Sequence, residues 1–263
     1  MNPTPYPGLK LERRGRTAVV TLDNPPAHTW TEASLAGLKR LVTDLDANRE
    51  IVALVVTGGG EKFFSAGADL KLFASGDPGV AGTMARRFGE AFETLAAFRG
   101  VSIAAINGYA MGGGLECALS CDIRIAEQHA QLALPETAVG LLPCGCGTQT
   151  LPWLVGEGWA KRMILTGERI DAATALRIGL VEEVVEKGAA REAALAMAAR
   201  VTTLSPQAVS FSKTLIHQGR QGVPRSAALA VERERFVDLF DGPDQREGVN
   251  AFLEKRPPQW HVA

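Results

Sequence analysis

Hydrophobic and polar positions along the chain predict strands and helices in alternation. Leu9-Lys10-Leu11-Glu12 and the apolar run Ala18 to Leu22 flank Arg14-Gly15-Arg16, which predicts a hairpin. Asp23-Asn24-Pro25-Pro26 then ends the second strand, because proline has no N–H to give to a ladder. A helix is predicted to start at Thr31, a hydroxyl cap before Glu32, with Leu35, Leu38, Val42 and Leu45 at helical spacing. Ile51 to Val56 is a continuous apolar run ending at Gly58-Gly59-Gly60, as expected of a strand covered on both faces.

The same order recurs. After a Gly/Ala-rich loop from Ser65 to Asp69, Met84, Phe88, Ala91, Phe92 and Leu95 mark a helix, and Val101 to Ile106 a second buried strand. A short helix of small residues is predicted from about Gly112 to Ser120, then strands at Ile123 to Ala126 and Leu132 to Leu134. From Thr148 onward helices dominate, interrupted only by Val181 to Val185. The fold class is therefore α/β, with a nearly all-helical last quarter. The change near residue 200 divides the chain into 1–200 and 201–263, with no Gly/Ser-rich spacer between them.

Composition narrows the function. A chain of 263 residues can bury roughly 70–75% of its unfolded surface without metal or disulfide staples. A formal charge of −1 gives no electrostatic basis for binding nucleic acid or an anionic membrane. No apolar run approaches the roughly 20 residues of a spanning helix. Met1 to Arg16 lacks the apolar core and cleavage site of a secretory signal. The cysteines fall in two close pairs, Cys117/Cys121 and Cys144/Cys146, without zinc-knuckle spacing. They read as reduced thiols, no metal is expected, and a cytoplasmic location fits.

Phosphate-loop, nucleophile-elbow and His-Glu-x-x-His motifs do not occur in the sequence. Gly145-x-Gly147 lacks the third glycine of a dinucleotide fingerprint. His129, His217 and His261 have no partner pattern and read as ordinary surface or satisfied residues.

Two glycine-containing turns remain, Phe63 to Leu70 and Asn107 to Glu116, each after a buried strand and before a predicted helix. Small residues let backbone N–H groups approach a ligand and point at one oxygen. Two such groups from separate turns would make an oxyanion hole for charge developing on a carbonyl oxygen. Glu116, three residues after Gly113, stands about one helical turn away on the same face and could move protons beside that carbonyl. Either turn alone also fits close packing or a plain loop; together and in this order they are more specific.

The combination resembles the crotonase family, the enoyl-CoA hydratase/isomerase superfamily, over almost the whole chain. Leu134-Pro135-Glu136, Gly140 to Pro143, Gly147-Thr148-Gln149 and Leu165-Thr166-Gly167 match as well. The resemblance implies a spiral of repeated ββα units over 1–200 carrying an acyl-CoA site. It also implies a helical region over 201–263 used to assemble a homotrimer or a dimer of trimers. It implies that Ala68 and Gly113 donate the two N–H groups to the thioester oxygen. Glu116 would help activate water, and Glu136 would supply the proton to the α-carbon. Holding both glutamates favours hydration of a 2-enoyl-CoA, because family isomerases often keep only the position of Glu136.

Ala66, Asp69, Lys71 and the stretch Ala27-His28 match positions beside the coenzyme A arm, with Lys71 placed to meet a phosphate. Phe252 and Lys255 resemble a C-terminal element that reaches a neighbouring subunit's ligand. No cofactor is implied, since coenzyme A is part of the substrate. Cys144 stands where many hydratases have glycine, and Pro26-Ala27-His28-Thr29-Trp30 departs from the usual stretch at the mouth of the site. The alternatives are isomerisation or another crotonase-type acyl-CoA reaction (hydrolysis, decarboxylation), and a catalytically silent acyl-CoA-binding scaffold.

Overall fold

The hairpin predicted at the start of the chain forms from Leu9–Arg14 (β1) and Thr17–Leu22 (β2), antiparallel, with Leu9 opposite Leu22. This computed structural model describes residues 6–261, so Met1 to Pro5 of the N-terminal segment lie outside the described residues. Thr31 caps Glu32–Ala47 (α1): its hydroxyl accepts the Ser34 N–H at 3.2 Å, and the Ser34 hydroxyl oxygen accepts the Thr31 N–H at 2.9 Å. Two donors that a helix start leaves open are thereby satisfied reciprocally. The buried face of α1 carries Leu35, Leu38, Leu41, Val42 and Leu45.

A long strand, a short strand and a helix then follow one another repeatedly. Ala53–Gly58 (β3) and Phe63–Ser65 (β4) lead to Pro78–Ala96 (α2). Val101–Ile106 (β5) and Tyr109–Met111 (β6) lead to Gly113–Leu119 (α3). Ile123–Glu127 (β7) and Gln131–Ala133 (β8) lead to Gly147–Leu165 (α4). Ile170–Asp171 (β9), Ala172–Arg177 (α5), Glu183–Val185 (β10) and Ala190–Val201 (α6) close the series.

The long strands line up in a six-stranded sheet ordered β1-β2-β3-β5-β7-β10, and the short ones in a four-stranded sheet ordered β4-β6-β8-β9. β3, β5 and β7 are mutually parallel, as are β4, β6 and β8. Each repeat thus advances both sheets by one strand. This is the spiral of ββα units that the resemblance implied.

The central strands β2, β3, β5 and β7 of the large sheet are buried on both faces, as their continuous hydrophobic runs require. Val19, Val55, Ile103, Ala105 and Ile125 pack on α6, where Ala190, Ala194 and Ala198 recur every fourth residue and let the helix lie close. Val20, Leu54, Val56, Ala104 and Ile106 face the larger core shared with α1 and α2.

Hydrophobicity marked burial better than pairing. Ile51 and Val52 are buried but precede β3, which runs on to Gly58. Likewise β10 begins at Glu183 rather than Val181, and the three- and two-residue strands β4, β6 and β9 are too short to show a period.

Three helices complete the chain: Pro206–Gln218 (α7), Arg225–Asp238 (α8) and Pro243–Leu253 (α9). α8 buries none of its residues, and Phe236 and Val237 on it are 62% and 63% exposed. No helix among the described residues is long and apolar enough to cross a membrane.

Candidate active site

The first glycine turn is zipped to the stretch 27–30. Ala66 N–H donates to Ala27 C=O (2.9 Å), Trp30 N–H to Gly67 C=O (2.7 Å), and Asp69 N–H to Trp30 C=O (3.1 Å). In this parallel bridge Trp30 faces Ala68 but bonds only to the residues on either side of it. The N–H of Ala68 is therefore turned away from the ladder. Gly67 permits the bend, with φ at +89°.

The second turn presses against the first. A Cβ on Gly67 would lie 2.7 Å from Met111 O and 3.2 Å from Gly113 N, and one on Gly114 would lie 2.2 Å from Ser65 O. Gly114 is thus a close-packing glycine, whereas Gly113 opens α3, where a helix leaves its N–H without an internal partner. The Trp30 indole N–H donates to Gly113 C=O at 3.2 Å and holds that residue in place.

Ala68 and Gly113 line one cavity of about 270 Å3, together with Ala66, Glu116, Glu136 and Cys144. Its other walls are mostly apolar, Phe73, Phe88 and Leu142 among them. Six of the residues singled out in the sequence are thereby brought together.

Glu116 is 2% exposed. Its Oε1 accepts the backbone N–H groups of Gly145 (2.9 Å), Cys146 (2.9 Å) and Gly147 (2.8 Å), at the start of α4. Burial raises its pKa, and the three amides draw it back down without cancelling the rise. Gly145-x-Gly147 is thus an amide cradle for a carboxylate. Without a side chain at Gly145 the carboxylate can come close, for a Cβ there would lie 3.0 Å from Glu116 Oε2.

Glu136 opens the 3-10 turn Glu136–Val139, just after β8 and Pro135. Its Oε1 lies against Gly112, where a Cβ would come within 3.1 Å, and its Oε2 is buried with no hydrogen-bond partner among the described residues. Burial pushes its carboxyl up to about 7; its own backbone N–H opposes this and the Glu116 charge adds to it. Cys144 is exposed beside the two acids, and the surrounding walls, then Glu116 and Glu136, push its thiol up to about 11.

The remaining sequence candidates lie off this cavity. The Asp69 carboxylate accepts the Lys71 N–H (3.1 Å) and caps the 3-10 turn Leu70–Phe73, on which Lys71 is exposed. His28 is buried, with Nδ1 accepting the Asn24 N–H (3.2 Å) and Nε2 donating to Gly59 C=O (2.8 Å). Its main-chain oxygen accepts the Ser65 hydroxyl (2.7 Å). The ring therefore braces the protein's own backbone. Ala27 meets Ala66 through the zipper above. Phe252, 82% exposed, and Lys255, with φ at +55°, sit at the end of α9.

Trp30, Phe88 and the amides of 145–147 were not singled out for this role. The glycine pair at 145 and 147 was the visible signal, but the acceptor it serves lies about thirty positions earlier. Among the described residues there is no group of three or more His, Cys, Asp or Glu able to hold a metal.

The family model described as enoyl-CoA hydratase/isomerase matches residues 12–262. A short-chain-enoyl-CoA hydratase of Clostridium acetobutylicum is 39% identical, over 94% of this chain and 94% of that protein. A 2,3-dehydroadipyl-CoA hydratase of Escherichia coli is 38% identical, over 96% and 98%. Among solved structures, Pseudomonas aeruginosa DspI superposes with a TM-score of 0.96 at 64% identity, covering 99% of each chain. An enoyl-CoA hydratase from Bacillus anthracis superposes at 0.93 with 34% identity, covering 97% of this chain and 100% of the other.

Proposed function

The chain belongs to the enoyl-CoA hydratase/isomerase family, and from that premise we propose that it adds water across the 2,3 double bond of a 2-enoyl-CoA, with Glu116 and Glu136 as the working carboxylates. The observation that carries this reading is the pair of acids facing one small cavity that Ala68 and Gly113 also line.

The thioester oxygen sits between the N–H groups of Ala68 and Gly113, whose hydrogen bonds strengthen as charge moves onto it. Glu116, with Oε1 held by three amides, presents Oε2 to a water molecule. Oε2 takes the proton of that water as its oxygen bonds to C3. The π electrons pass toward C1 and the thioester oxygen, giving an enolate. Glu136, whose pKa of about 7 keeps a large fraction protonated at neutral pH, delivers its proton to C2. The proton now on Glu116 passes back to Glu136, and the product is a 3-hydroxyacyl-CoA. An acid near C2 and a base near C3 are what hydration needs, whereas isomerisation needs only one proton-moving group.

The coenzyme A arm lies along Ala66, Ala27-His28 and Asp69, with Lys71 toward a phosphate, and no metal or redox cofactor takes part. The assembly is a homotrimer or a dimer of trimers, with Phe252 and Lys255 reaching toward a neighbour's ligand. The exposed Phe236, Val237 and Phe240 support this, since such residues call for a covering surface. A cytoplasmic location is supported by four free thiols.

The test is mass-spectrometric product analysis with short 2-enoyl-CoA and 3-enoyl-CoA. Hydration adds the mass of water to the 2-enoyl substrate, while isomerisation converts the 3-enoyl substrate at constant mass. Glu136→Gln and Glu116→Gln should each slow hydration by about a hundredfold or more. Unchanged hydration in either variant refutes the assigned roles.

A further inference from the structure

A second, larger cavity of about 810 Å3 lies behind the site, lined by Phe92, Ala96, Leu119, Cys146, Ala208 and Ile216 among others. The wall between the two cavities is thin. A methyl group on Gly145 would lie 2.6 Å from Phe92 Cδ2 and 3.0 Å from Glu116 Oε2, so ring and carboxylate flank the same glycine. Glu116 belongs to the small cavity and Phe92 to the large one. One turn earlier on α2, Phe88 lines the small cavity and meets Phe92 edge-on, with ring centroids 5.6 Å apart.

Phe92 is 1% exposed and held on another side by Trp30, centroids 5.8 Å apart. That indole also anchors Gly113. The ring is therefore wedged between the oxyanion turn and the loop that holds Glu116. The space beyond it suits hydrocarbon. Lys213 and Asp122, half-buried charges in its wall, are paired at 2.8 Å, the half-buried His217 lies 3.7 Å from the same carboxylate, and Glu93 and Arg220 are exposed.

We propose that Phe92 is the partition that sets the acyl-chain length this site accepts, and that the cavity behind it takes the distal carbons of longer chains when the ring is cut back. The inference rests on the acyl-CoA reading of the site and adds to it a residue that determines specificity. A thioester oxygen at Ala68 and Gly113, with C2 and C3 beside Glu136 and Glu116, directs a long chain toward Gly145 and this ring.

The test compares kcat/KM for 2-enoyl-CoAs from crotonyl to hexadecenoyl in the wild type, Phe92→Leu and Phe92→Ala. In parallel, calorimetry measures the affinity for saturated acyl-CoAs of the same lengths. Each newly buried methylene is worth about fourfold, so two or more should raise the long-to-short ratio by over about tenfold. Phe92→Leu keeps an apolar side chain in the wall and carries the test if Phe92→Ala fails to fold. Adding Ala208→Phe to Phe92→Leu fills the far cavity and should return the profile to that of the wild type.

Identical length profiles in wild type and variants overturn the proposal, as does a wild type that already takes the longest chains as readily as short ones. A gain that survives Ala208→Phe overturns the role of the larger cavity. A wild type that hydrates nothing, while Phe92→Leu still lengthens the chain bound, sinks the hydratase reading and leaves the partition standing.

Discussion

Replacing Glu136 by glutamine should slow hydration by about a hundredfold or more and also remove a pH-dependent weakness of the folded protein. The carboxyl rises from its ordinary 4.5 to about 7, chiefly through burial. Between those values the folded chain keeps a proton that the unfolded chain has released. Unfolding free energy therefore falls as pH rises through this window, and the cost is fully present above about 7. At about 1.36 kcal/mol per pH unit the shift corresponds to about 3 kcal/mol. Part of the side chain faces the solvent in the cavity, which screens it, so about 2 kcal/mol is the expected effect. Glutamine keeps the shape and does not titrate.

Urea unfolding at pH 5 and pH 8, at one protein concentration, reads this directly. The stability of Glu136→Gln relative to wild type should be about 2 kcal/mol more favourable at pH 8 than at pH 5. A constant offset from an altered hydrogen bond cancels in that difference. Parallel stabilities at the two pH values would mean that Glu136 titrates as an ordinary surface acid, and its service as a proton donor near neutrality would lose its basis.

Three further outcomes are expected. The kcat/KM for a short 2-enoyl-CoA should decline as pH rises through about 7, because the donor form of Glu136 is the protonated one; a rate flat from pH 6 to 9 contradicts this. Glu116→Ala leaves the amides of Gly145, Cys146 and Gly147 without their acceptor and should destabilise by about 3 kcal/mol or more. Glu116→Gln, which retains an oxygen, should cost clearly less, and equal melting temperatures for the two variants would show that the cradle contributes nothing. Gly67→Ala places a Cβ 2.7 Å from Met111 O at a φ of +89°. It should cost about 1–3 kcal/mol of stability and, by forcing the two turns apart, about a hundredfold in kcat; wild-type kinetics would show that their spacing is immaterial.

Much of the architecture was legible because it follows from local pattern. The hairpin around Gly15, the Thr31 cap and the buried strands at 101–106 and 123–127 depend on residues a few positions apart. The short strands β4 and β6 escaped notice because their pairing is decided by neighbours in another repeat, as with Tyr109 opposite Phe63, whereas β8 was legible from the apolar residues at 132–134. Of the residues singled out for the site, Ala66, Ala68, Gly113, Glu116, Glu136 and Cys144 share the cavity. His28 was legible only as a position, since its ring turns inward to bind backbone groups at Asn24 and Gly59.

The amino-acid order alone determined which residue types were available for chemistry: two bends rich in small residues, Glu116 closing the second, and Glu136 after the next pair of strands. It could not determine which way an amide points, because Ala68 is aimed by the bonds Trp30 makes to the residues beside it. Nor could it determine the state of an acid. Glu136 titrates near 7 because folding removes water from around it and leaves Oε2 without a partner, whereas Glu116 is gripped by amides that reach it only when α4 docks on α3. Hydrogen-bond direction and desolvation are properties of assembled surroundings, and those come into being only with the tertiary structure.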